Sequence, residues 1–195
     1  MIDGAIPDPF VRPYSANPQT AWATGLWWPY VQNPNSYLCP VDIQSPDYMP
    51  LAPTGRNNKL SSYVMNGATC GYGYAPAPTG VPYGICKVSE VWSPACYLLW
   101  EVDEYAPTPS YPNGQGVFAF NDGANFPDEG GGLGALHGNN GGEVVNVGGS
   151  VSFVTLNAFQ AQAQPLQFVG EGPYGKTLVW WSPFQADGGA AVGGE

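Results

Sequence analysis

Residues 143–155 read EVVNVGGSVSFVT. Two β-branched runs flank Gly148-Gly149, a pair that accepts the positive φ of a two-residue hairpin turn. The stretch predicts an antiparallel hairpin, Glu143–Val147 paired with Ser150–Thr155. Working outward, YLLWEV (97–102) reads as a central strand, and LSSYVM (60–65) as another that ends at the turn signal Asn66-Gly67. Val117–Phe120, Leu166–Val169 and Thr177–Trp181 read as shorter strands. Helical patterns are confined to Thr20–Tyr30, with Thr20 as cap and Pro29 as terminator, and to Asn157–Gln164.

The composition agrees with a sheet. The chain has 195 residues, of which 27 are Gly and 21 Pro, too many helix breakers for a bundle. A hydrophobic content of 44% and an aromatic content of 14% argue against wholesale disorder. The expected fold is therefore α+β and mostly β. It has an antiparallel sheet, a short N-terminal helical segment and long Gly/Pro-rich loops, with aromatic side chains filling the core. Pro7, Pro9, Pro13 and Pro18 make residues 1–19 an extended arm. Residues 20–186 form one domain, and 187–195 a flexible Gly/Ala-rich tail.

Charge excludes some partners. Five Lys+Arg against 15 Asp+Glu give a net charge of −10, which argues against nucleic acid and anionic membrane surfaces. No apolar run approaches the roughly 18 residues of a membrane span, and no signal peptide is recognisable at the start. No Lys or Arg lies between Lys87 and Lys176. Within that interval Asp122, Asn125, Asp128 and Glu129, helped by Asp103, offer oxygen ligands suited to calcium; the alternative is a solvated acidic loop.

The four cysteines contain no Cys-x-x-Cys pair, and one His cannot complete a common zinc site, which argues against structural zinc. Disulfides suit the even count: Cys70–Cys86 around a Gly/Pro/Tyr segment, and Cys39–Cys96 unless these two are buried thiols. Catalytic signals are weak. Gly170, Gly175, Lys176 and Thr177 match the P-loop text, but a β-like run follows where a helix must start, so the motif reads as a hairpin turn. His137, the single histidine, reads as a structural hydrogen-bonding residue rather than a member of a Ser-His-Asp or Cys-His site. Glu101, Asp103 and Glu104 could supply paired carboxylates for glycoside hydrolysis, a reading the sequence does not favour. No catalytic residue is expected.

Four blocks in order carry a resemblance: GLWWPYVQNPNSYLCPVD (25–42), LSSYVMNG (60–67), YLLWEVDE (97–104) and LHGNNGGEVVNVGGSVSFV (136–154). Together they resemble the prepilin-like (pseudopilin) proteins abundant in Planctomycetes and Verrucomicrobia. The C-terminal signature there is a His, nine residues, then Asp-Gly; here ten residues follow His137 before Gly148-Gly149. The resemblance implies a secreted, non-enzymatic subunit of a pilus-like or type II secretion-like filament, assembled from identical copies. The long apolar helix that opens such proteins has no counterpart in residues 1–195. Either the chain is the ectodomain alone, or the arm 1–19 reaches a neighbour by strand addition. Trp22, Trp27, Trp28 and Tyr30 are expected to anchor the front of the domain. The rival reading is a carbohydrate-binding module with aromatic platforms.

Overall fold

A computed structural model describes residues 17–25, 27–45, 48, 60–70, 87–102, 124–125, 133–134, 136–138, 140–163 and 176–183. Among the described residues five strands form one sheet: β1 (Val64–Asn66), β2 (Tyr97–Trp100), β3 (Ala124–Asn125), β4 (Gly141–Asn146) and β5 (Val151–Thr155), in the order β3-β1-β2-β4-β5. The run from β1 through β2 and β4 to β5 is antiparallel, and β3 pairs with β1 in parallel. The helices are α1 (Pro18–Trp22), α2 (Trp28–Val31) and α3 (Leu156–Ala163). The expected mostly-β α+β class and its antiparallel sheet are present.

The hairpin of β4 and β5 forms where the Val-rich runs predicted it. Its turn is wider than two residues. Val145 pairs with Val151, the amide of Gly149 donates to the Asn146 carbonyl, and Gly149 has φ +84°. A side chain at Gly149 would meet no neighbour, so it is the backbone angle that asks for glycine. The turn also docks: Val147 and Gly148 donate to the carbonyls of Cys96 and Pro94. That extra anchorage draws Val147 out of the strand.

One sheet face carries the core. Val64 pairs with Trp100 and Trp100 with Val144, all fully buried. Phe159 and Ala163, one helical turn apart on α3, close over this face. The Phe159 ring lies 5.5 Å from Trp100 and 6.0 Å from Tyr97.

Residues 177–181 do not form a strand. The Thr177 amide donates to the Trp180 carbonyl, and the Trp180 amide donates back to the Thr177 hydroxyl. This tight knot turns Val179, Trp180 and Trp181 inward together. A strand sends successive side chains to opposite faces and could not bury both tryptophans on one side. The knot plugs the core through indole donors. Trp180 Nε1 donates to the Ala163 carbonyl and Trp181 Nε1 to that of Tyr97.

The expected helix Thr20–Tyr30 is broken in two. The Asn17 side chain, rather than Thr20, caps α1 by accepting from the Gln19 amide. Pro29 lies in the first turn of α2, where its missing N–H costs nothing, and so opens that helix instead of ending it. Trp22 is buried: it stacks on Tyr37 at 5.0 Å and donates to the Leu60 carbonyl. Trp27 and Tyr30 are exposed, and Trp28 is half-buried.

Cys96 is a free thiol sealed in the core, and Cys39 is a second free, buried thiol, so of the two readings left open for this pair the buried thiols hold and the bridge does not. Burial lifts the Cys96 thiol to about 11. The Cys70–Cys86 bridge, the strands 117–120 and 166–169, most of the arm 1–19 and the tail 187–195 fall outside the described residues. Among the described residues no helix is long and apolar enough to cross a membrane.

Candidate functional site

At the end of β2 the sheet meets two loops, and three chemically active side chains converge: Cys39, Glu101 and His137. Glu101 follows Trp100 directly. Its carbonyl accepts from the Gly134 amide at 2.7 Å, which ties the neighbouring chain to the strand end. Gly142 of β4 lies against that tie: a Cβ there would collide with the Gly134 carbonyl and touch Leu133. Backbone packing at this density leaves the Glu101 side chain 1% exposed.

Cys39 arrives on the 25–42 segment. Its amide donates to Ser62 Oγ at 2.9 Å, and its carbonyl accepts from the Ile43 amide. The Ser62 amide in turn donates to the Tyr37 carbonyl, so the loop is stitched to the residues that lead into β1. Pro40 follows Cys39 and the chain then turns at Asp42–Gln44. His137 comes from the loop before β4 and sits at the rim, partly open to solvent.

A single ring nitrogen serves both contacts. His137 Nε2 lies 3.2 Å from Cys39 Sγ and 3.3 Å from Glu101 Oε1. Among the described residues, Glu101 Oε2 is buried with no hydrogen-bond partner. Burial pushes the Cys39 thiol up; the Asp42 amide opposes this, Glu101 adds to it and the Val41 amide opposes it again. Beside the cluster, burial lifts the Tyr63 hydroxyl to about 12, aided by the negative potential of Cys39, Glu101 and Asp42.

This geometry differs from a Cys–His–acid relay. In a relay the acid holds one ring nitrogen and the nucleophile faces the other. Here both approach Nε2. An activated thiol is also one whose pKa is lowered, and that of Cys39 is raised. The cluster is instead a set of three donor atoms within 4.8 Å of one another.

The other expected sites fare differently. Asp103, Glu104, Asp122, Asp128, Glu129 and the Asn125 side chain lie outside the described residues, so the calcium ligand set is not placed. Of the P-loop text, Lys176 and Thr177 are described, and no helix begins there. Lys176 Nζ lies over the Trp92 ring at 5.1 Å, and Thr177 Oγ1 donates to the Gln162 carbonyl. His137 does make hydrogen-bonding contacts, as read from the sequence, but with a thiol and an acid that were not linked to it. The available signal was Glu101, a lone acid inside the apolar run YLLWEV.

Comparison with protein-family models, curated proteins and solved structures returned no match.

Proposed function

We propose that this chain is a structural, non-enzymatic subunit of an extracellular pilus-like or type II secretion-like filament, built to pack against copies of itself. The observation that carries this is an apolar row on the sheet face opposite the core. Met65 pairs with Leu99, Leu99 with Val145, and Val145 with Val151. The row therefore runs without a polar break across four strands. Met65, Leu99 and Val145 are half-buried, while Val151 is 63% exposed and Phe153, on the same face of β5, 52%.

An antiparallel sheet with one face on its core normally turns polar side chains outward. An apolar outer face that ends on the last strand of the sheet is the pattern of an interface, because β5 also offers unpaired backbone groups among the described residues. The four blocks that resemble prepilin-like proteins add support. Cys39, Ser62, Glu101 and His137 come one from each block, and all four meet at one place. A shared fold would explain four separated blocks that converge in this way.

Electron microscopy of the native material, with the mass of the mature N-terminus, tests the proposal. Filaments whose subunit mass includes this chain are expected; monodisperse particles at every concentration would contradict it. A second reading rests on Trp27 and Tyr30, both exposed on or beside α2. Aromatic rings held this way can stack on sugar rings. Retention on polysaccharide gels that is lost in Trp27→Ala, without filaments, would favour that module over the filament.

A further inference from the structure

We propose that Cys39, Glu101 and His137 form a binding site for one borderline divalent transition-metal ion, zinc in the first place, which ties three distant segments of the chain together. The proposal is independent of the filament reading. Its first support is geometric. Sγ and Oε1 stand 3.2 Å and 3.3 Å from the same Nε2. Ligands about 2.0–2.3 Å from a tetrahedral zinc ion are separated by roughly 3.3–3.6 Å, which two of the three separations already match, and all three atoms lie within 4.8 Å of one another.

The second support is the orphan oxygen. Glu101 Oε2 is buried and unpartnered among the described residues, and Glu101 itself is 1% exposed. A buried carboxylate without full compensation is costly. A divalent ion among the three ligands supplies the compensating positive charge to that carboxylate. The carboxylate and a thiolate bring two negative charges, the neutral imidazole none, and the sum balances the ion.

On binding, the S–H proton of Cys39 leaves to solvent and the sulfur lone pair forms the metal bond. Sulfur as a ligand selects against calcium and magnesium, which take oxygen. Three protein ligands leave a fourth position, on the His137 side where the site meets solvent, for water.

The test is titration of the reduced full chain with Co²⁺, followed by competition with Zn²⁺. One equivalent of Co²⁺ should produce a thiolate-to-metal charge-transfer band and the strong visible bands of four-coordination, and Zn²⁺ should remove both. Zn²⁺ should also raise the melting temperature, and EDTA should reverse that rise. Cys39→Ser should abolish the charge-transfer band. His137→Gln, at the rim, should fold and lose more affinity than the about 10–100-fold typical of a supporting residue. Cys96→Ala should keep the spectrum. If Cys39→Ser does not fold, His137→Gln and the wild-type melting shift decide. No thiolate band with folded wild-type protein, or a spectrum unchanged in both Cys39→Ser and His137→Gln, would overturn the proposal.

Discussion

The side-chain amide of Asn66 donates to the carbonyl oxygen of Val179 at 2.8 Å, across 113 residues of sequence. The same nitrogen donates to the Tyr97 carbonyl at 3.0 Å, and Asn66 Oδ1 accepts from the Ala68 amide. Asn66 is fully buried. It thus joins the end of β1, the start of β2 and the tryptophan knot in one satisfied network.

Asn66→Ala should therefore destabilise the fold well beyond a surface change. It strands the Ala68 amide and removes donors from two buried carbonyls. The Tyr97 carbonyl keeps the Trp181 indole donor, so two groups lose out; at about 1–3 kcal/mol each, a loss of about 2–6 kcal/mol is expected from urea unfolding midpoints at unchanged slope.

Trp180 offers a second test, of packing and polarity separately. Its ring is buried and its Nε1 donates to the Ala163 carbonyl at 2.9 Å. Trp180→Ala should cost about 3–5 kcal/mol. Trp180→Phe keeps most of the volume but loses the donor, so its loss should be clearly smaller. Equal losses in the two variants would mean that the hydrogen bond, rather than the filled volume, governs the site.

Such details mark what the sequence could reveal. Strands declared by β-branched runs or apolar patterning were legible: β4 and β5 around Gly148-Gly149, β2 in YLLWEV, and the β1 region before Asn66. The knot at 177–181 was not. LVWW has strand propensity, but Thr177 closes a local hydrogen-bond loop and the core has room for both indoles, so tertiary burial overrode alternation. Pro29 misled because proline both ends helices and opens them. The Cys39, Glu101 and His137 cluster was hidden for a different reason. Its members are 36 to 98 residues apart, and local spacing rules for metal ligands see only short separations.

Cys96 predicts a pH dependence. Burial raises its pKa from 9.0 to about 11. Between these values the unfolded chain has given up the thiol proton while the folded chain keeps it. The unfolded state then binds fewer protons, so stability falls as pH rises from about 9 to about 11. The effect is of order 2 kcal/mol at its end. Unfolding curves across this range should show a shallower alkaline decline in Cys96→Ala than in wild type. Parallel declines would remove Cys96 as a source.

The apolar outer face ending in Val151 and Phe153 is where we propose that copies of the chain meet. Phe153 is exposed on the last strand and pairs with Glu143, so a charge there should leave the core intact. Sedimentation velocity over a wide concentration range, on wild type and Phe153→Lys, tests this most directly. The sedimentation coefficient should rise with concentration for wild type and stay at the monomer value for Phe153→Lys, with the two unfolding at about the same denaturant concentration. A wild type that stays monomeric throughout, or a Phe153→Lys chain that associates just as strongly, would contradict it.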